Sequence, residues 1–122
     1  MAKKILIVDD ENEMVKLIEL NLIDKGFDTI TAFSGEEAIE KAALAKPDLV
    51  LLDVVLQDMD GFSVCAKLKK ANPQTKVLIY TGKPDGVNVP KARQAGADDF
   101  AVKTADLSHV MKSIENIFEN NS

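Results

Sequence analysis

The sequence predicts an α/β domain built on a five-stranded parallel sheet of order 2-1-3-4-5 with helices on both faces. Three observations predict it. Short apolar runs alternate five times with longer amphipathic segments along the chain. The runs at residues 4–8, 49–52 and 77–80 are almost continuously apolar, as strands covered on both faces must be. Strict strand–helix alternation implies right-handed crossovers, which wind helices onto both sides of one sheet.

Each element has its own signals. The second run, 27–32, alternates polar and apolar and suits an edge strand; the fifth run is 99–102. Residues 11–25 place Met14, Leu17, Ile18 and Leu22 on one face and stop at Gly26, a residue suited to a left-handed helix end. Ser34-Gly35-Glu36-Glu37 is a capping box that opens a helix with Ala38, Ile39 and Ala42 turned inward, ending before Lys46-Pro47. A third helix, 62–71, follows Asp60-Gly61 and ends before Pro73. Residues 81–90 are rich in turn formers, so the fourth helix is expected to be short or to start late, at 90–95, closed by Gly96. The last helix is expected from the N-cap Asp106, with Leu107, Val110, Met111, Ile114, Ile117 and Phe118 inward.

Composition narrows the function. A chain of 122 residues supports one core, so residues 1–122 read as a single domain. A net charge of −5 with no basic cluster longer than two residues argues against nucleic-acid binding by this domain. No apolar run is long enough to span a bilayer, and residues 5–8 are too short for a signal-peptide core, so a cytoplasmic chain with no membrane contact is expected. The lone Cys65 permits neither an internal disulfide nor a cysteine-rich zinc site, and reads as a small buried apolar residue. The only histidine, His109, reads as an exposed helical residue.

In a doubly wound sheet, ligands bind at the carboxyl ends of the strands, where the strand order reverses. Four of the five strand ends carry a polar group: Asp9 and Asp10 after the first, Asp53 after the third, Thr81 after the fourth and Lys103 after the fifth. Taken singly, each has a plain reading as a helix cap, a strand-edge residue or a surface lysine. Together they describe a site. Three carboxylates in one crevice repel and call for a cation, and hard oxygen ligands suit Mg²⁺. With a lysine and a hydroxyl beside them, such a set can form and hydrolyse an acyl phosphate.

The segments Ile5-Leu6-Ile7-Val8-Asp9-Asp10-Glu11, Ala32-Phe33-Ser34-Gly35-Glu36-Glu37-Ala38, Pro47-Asp48-Leu49-Val50-Leu51-Leu52-Asp53, Met59-Asp60-Gly61 and Ala95-Gly96-Ala97-Asp98-Asp99-Phe100 occur in this order. On these, the chain resembles the receiver domains of bacterial two-component response regulators over essentially its whole length. The resemblance implies a flavodoxin-like (βα)5 fold and a signalling switch that catalyses only its own phosphorylation and dephosphorylation. It implies that Asp53 accepts a phosphoryl group from a sensor histidine kinase or a phosphotransfer protein. It further implies Mg²⁺ held by Asp10, Asp53 and the Val55 carbonyl, with Asp9 acting through water. Thr81 and Lys103 would engage phosphoryl oxygens, and Phe100 would be the aromatic that turns inward as the helix 4–strand 5–helix 5 face switches.

The sequence departs from the family at three places. Gln57 replaces a usual proline, which predicts a looser loop over residues 54–61. Thr104 replaces the proline after Lys103, which predicts a trans peptide there, with a compensating shift over residues 104–106, rather than the family's cis bond. The stretch 84–90 makes the fourth helix unusual. None of the three removes a catalytic group.

Three other readings compete. A nucleotide- or flavin-binding protein would want a glycine- or hydroxyl-rich loop after strand one, where Asp9-Asp10-Glu11 stands instead. An aspartyl phosphatase acting on external substrates would want a second acid two residues after its nucleophile, where Val55 stands. A receiver-like binding module that is not phosphorylated differs only in chemistry, and labelling decides it.

Overall fold

The computed structural model describes residues 2–82, 89–103 and 106–120. The peptide bond between Lys103 and Thr104, and most of the stretch 84–90, therefore lie outside the described residues. Five strands, β1 (Lys4–Val8), β2 (Asp28–Ala32), β3 (Leu49–Asp53), β4 (Lys76–Thr81) and β5 (Asp99–Val102), form one sheet of order β2-β1-β3-β4-β5. Every neighbouring pair is parallel. The expected architecture and strand order are the observed ones, and the alternating run forms an edge strand.

Period-2 alternation divides the core in two. One face carries Ile5, Ile7, Leu49, Leu51, Leu78 and Ala101 against helices α1 (Asn12–Asp24) and α5 (Ser108–Asn120). The other carries Leu6, Val8, Val50, Leu52, Val77 and Ile79 against α2 (Gly35–Ala45), α3 (Gly61–Ala71) and α4 (Val89–Gln94). Cys65 is fully buried in this second core, and burial pushes its thiol up to about 11, so it behaves as an apolar residue. No helix among the described residues is long and apolar enough to cross a membrane.

Three local expectations need correction. On α1 the buried line is Val15, Ile18 and Leu22, while Leu17 is 43% exposed, because the helix rolls Val15 rather than Leu17 onto the sheet. In the α2 cap, Ser34 Oγ accepts from the Glu37 N–H at 3.1 Å as a capping box requires, but Glu37 Oε1 accepts from Phe33 N–H, one residue further back, at 2.7 Å. Helix α5 starts at Ser108 rather than after Asp106. Leu107 takes a left-handed φ of 58° and buries its side chain in the α1/α5 core, while the Asp106 carboxylate accepts from the Ser108 N–H at 3.1 Å. The short, late α4 is as expected.

The loop between β3 and α3 is tied down despite Gln57. The Asp58 carboxylate accepts from the Gly35 and Glu36 N–H groups at the start of α2, at 2.9 and 3.0 Å, which anchors the loop to a neighbouring helix end. Val55 pairs with Asp60, and the Gly61 N–H donates to the Val54 carbonyl at 3.1 Å. These bonds tie the loop to α2 and to the start of α3. Gly61 is where the fit is tightest: a Cβ there would lie 2.5 Å from Val54 Cα and 2.6 Å from the Asp53 carbonyl oxygen. Gly61→Ala is therefore expected to destabilise the fold by about 1–3 kcal/mol, as overpacking against backbone does. Urea unfolding checks this, and an unchanged midpoint would show that the loop can yield.

Candidate functional site

Strand order and alternation bring the polar strand ends together. Asp9 continues the Ile5–Ile7 parity of β1, Asp53 that of Leu49 and Leu51, and Lys103 that of Ala101, so all three side chains emerge on the α1/α5 face of the sheet. Both β1 and β3 end at the point where the strand order reverses, which leaves a crevice at their carboxyl ends. Asp9 and Asp53 are buried, at 0% and 4% exposure, and Asp10 is half-buried at the rim. One carboxylate oxygen from each of Asp9, Asp10 and Asp53 lies within 4.8 Å of the others, close enough to share one cation.

Lys103 crosses the rim to meet them. Its Nζ donates to Asp9 Oδ2 at 2.9 Å and to Asp53 Oδ2 at 3.1 Å, and lies 4.0 Å from Glu11 Oε1. The Asp53 Oδ1 oxygen accepts from the Val55 N–H at 3.0 Å, so the residue two places on holds the carboxylate in line. Thr81, 2% exposed, closes the far side on the same face as Ile79, and its carbonyl accepts from the Lys103 N–H at 2.8 Å. Phe100, half-buried, packs on this α4-side face and sits opposite Ile79 in register. The predicted set thus divides: Asp9, Asp10, Asp53 and Lys103 converge, Thr81 borders them, and Phe100 lies beneath on the other face.

Sequence reasoning missed one residue. The Tyr80 hydroxyl donates to Asp9 Oδ2 from full burial, and Lys103 Nζ stands 4.6 Å above its ring centroid. The available signal was a single tyrosine in an otherwise aliphatic strand, since a buried phenol needs an acceptor. His109 is exposed as expected, but its Nδ1 accepts from the Val102 N–H at 3.0 Å, closing the free edge of β5 beside Lys103.

The electrostatics follow from burial. Desolvation pushes the Asp53 carboxyl up to about 6, against the opposing pull of the Val55 N–H and Lys103 and with the help of Asp9. It therefore remains ionised at neutral pH. Burial alone would lower the Lys103 ammonium, but Asp9 and Asp53 outweigh it and hold it above its ordinary value. Burial, then the Asp9 charge, keep the Tyr80 phenol protonated well above its usual range. Hard oxygen donors around a compact gap suit Mg²⁺, and an ionised carboxylate beside a fixed ammonium can attack an electrophile whose oxygens the ammonium then binds. A separate cavity of about 490 Å³, lined by Ile39, Ala42, Leu68 and Thr75, opens at the opposite end of the sheet and holds no comparable set.

The raised Asp53 value has a thermodynamic consequence. In the unfolded chain this carboxyl titrates near 3.9, so folding binds its proton more tightly. Its stabilising contribution is complete below about pH 3.9 and is lost as pH rises through about 6. Asp53→Asn cannot ionise and escapes that loss. In metal-free buffer its melting temperature should exceed that of the wild type at roughly pH 7.5, with the gap closing towards about pH 4. Calorimetric scans across pH check this, and a gap that widened on acidification would refute the assignment.

Comparison with known proteins agrees with this geometry. The family model for the response regulator receiver domain matches residues 5–115. The chain is 44% identical over 103 residues to the alkaline phosphatase synthesis transcriptional regulatory protein PhoP of Bacillus subtilis (strain 168), a match that covers 84% of this chain and 43% of that protein. The chain thus spans less than half the length of that relative. Among solved structures it is similar to the chemotaxis protein CheY4 of Vibrio cholerae, with a TM-score of 0.88, 25% identity, and 96% and 99% of the two chains covered. It is also similar to the response regulator TrrA of Thermotoga maritima in complex with Mg²⁺ and BeF, with a TM-score of 0.87, 28% identity, and 94% and 98% covered. Matched in sequence from Ile5 onward and in strand order throughout, the chain belongs to the receiver-domain family of two-component response regulators.

Proposed function

We propose that residues 1–122 form one cytoplasmic receiver domain that accepts a phosphoryl group on Asp53 from the phosphohistidine of a sensor histidine kinase or a phosphotransfer protein. The observation that carries this is the buried Asp53 carboxylate, held by the Val55 N–H on one oxygen and by Lys103 at 3.1 Å on the other, beside two further carboxylates. An Asp53 oxygen attacks phosphorus, a P–O bond forms, and the P–N bond to the donor imidazole breaks. Lys103 exchanges its contact with Asp53 for a phosphoryl oxygen, and the Thr81 hydroxyl binds another. Asp10, Asp53 and the Val55 carbonyl would hold Mg²⁺, with Asp9 acting through water. When bound, the metal neutralises the carboxylates and the charge developing on the transferring group.

Withdrawal of Thr81 towards the phosphoryl group opens space on its own face of the sheet, into which Phe100 turns. That movement carries the signal to the α4–β5–α5 surface. The domain is a switch rather than an enzyme for external substrates, catalysing only its own phosphorylation and dephosphorylation. With a net charge of −5 it does not bind nucleic acid itself.

Two experiments test the proposal. Incubation with Mg²⁺ and acetyl phosphate should add one phosphoryl group by intact mass, and Asp53→Asn should abolish the gain while remaining folded. Full labelling of the variant would move the site, and no labelling of the wild type would favour a binding module that is not phosphorylated. Millimolar Mg²⁺ should also raise the wild-type melting temperature by preferential binding to the native state, and Asp10→Ala should lose that response. An Asp10→Ala variant that responds as the wild type does would remove Asp10 from the metal site.

A further inference from the structure

Tyr80 is the only tyrosine of a chain without tryptophan, and it stands directly before Thr81. Strand alternation puts its side chain on the α1/α5 face with Asp9, Asp53 and Lys103, opposite Asp53 in the β3–β4 register. A phenol buried to 0% exposure must find an acceptor, and the one it finds is Asp9 Oδ2. That same oxygen takes the Lys103 ammonium at 2.9 Å, while Asp9 Oδ1 takes the Glu11 N–H at 3.0 Å. Donors from β4, from the end of β5 and from the start of α1 therefore occupy both oxygens of Asp9. Asp10 differs: no described residue donates a hydrogen bond to its carboxylate. The Tyr80 ring meanwhile supports Lys103, whose Nζ lies 4.6 Å from the ring centroid.

We propose that Tyr80 is a positioning residue of the phosphorylation site, whose hydroxyl fixes the orientation in which Asp9 serves the metal and whose ring carries Lys103 across β4 to Asp53. The inference rests on the reading of the site as Mg²⁺-dependent and deepens it. The two parts of the side chain have separable jobs. The hydroxyl fixes the orientation of a carboxylate that serves the cation. The ring is the surface on which the lysine travels between Asp53 and an incoming phosphoryl oxygen.

Tyr80→Phe removes only the hydroxyl, and Tyr80→Leu removes the ring as well. By calorimetric titration, Tyr80→Phe should bind Mg²⁺ about tenfold more weakly than the wild type, the usual cost of losing a partner that orients a metal-site carboxylate. Its acetyl-phosphate labelling rate at saturating Mg²⁺ should stay within about threefold of wild type, because the ring remains. Tyr80→Leu should lower that saturating rate roughly fivefold or more. In the wild type, the ultraviolet absorption of this single phenol should shift on titration with Mg²⁺, with the same midpoint as the calorimetric signal, a response that mere packing would not give. Wild-type Mg²⁺ binding with Tyr80→Phe affinity within twofold, or without a phenol shift, overturns the inference and leaves the site reading standing. Absence of wild-type Mg²⁺ binding overturns both. Should Tyr80→Leu fail to fold, the Tyr80→Phe affinity and the phenol shift decide the matter.

Discussion

A single ammonium shared by two buried carboxylates organises the functional end of this molecule. The Lys103 side chain is 9% exposed and those of Asp9 and Asp53 are 0% and 6% exposed, so all three charges have largely left water. Desolvation of that kind costs several kcal/mol per ion, and mutual attraction returns it only when geometry is good and the remaining lone pairs are filled. Each of the four oxygens has a donor, from the Glu11 and Val55 N–H groups, the Tyr80 hydroxyl and Lys103, and no buried side-chain polar atom among the described residues is left without a partner. Replacing a buried ion pair by apolar residues of similar volume is often neutral or stabilising. Retaining the ions makes sense as chemistry rather than as stability.

That arrangement explains much of what surrounds it. Lys103 starts at the end of β5 and must reach Asp53 on β3, so it passes over β4, and Tyr80 is the β4 residue beneath it. The loop after Asp53 must not drift, because its Val55 N–H holds the Asp53 carboxylate. Asp58 pins that loop to the start of α2, and Gly61 brings α3 close enough to accept the loop backbone. His109 closes the edge of β5 one residue before Lys103 and so links α5 to the strand that delivers the lysine. At the opposite end of the sheet the ionic contacts are of another kind: Lys69 joins α3 to the starts of β4 and β5 through Thr75 and Asp98, which is scaffolding far from the carboxylates.

The two faces of the sheet divide the work. The α1/α5 face carries the charged groups, while Thr81 and Phe100 belong to the face packed by α2, α3 and α4. The proposed withdrawal of Thr81 towards Asp53 would therefore act on the opposite side of the sheet from the carboxylates. Phe100, in register with Ile79, lies next in that direction.

Local sequence determined the elements because period and punctuation are properties of short stretches. The apolar runs, Gly26, Ser34 and Pro90 mark strands and helix ends without reference to the rest of the chain. The site was legible for the same reason: Asp9, Asp10, Asp53, Thr81 and Lys103 each sit at a strand end, and a parallel sheet places all its strand ends on one rim. Tertiary structure alone decided the rest. Whether Val15 or Leu17 faces the sheet depends on how α1 rolls. The start of α5 depends on Leu107 finding room in the core, which draws it into a left-handed turn. Tyr80 acquires its partner only when β4 is laid beside β3 and β1, because its bond to Asp9 spans 71 residues of sequence and no local pattern records a contact across that distance.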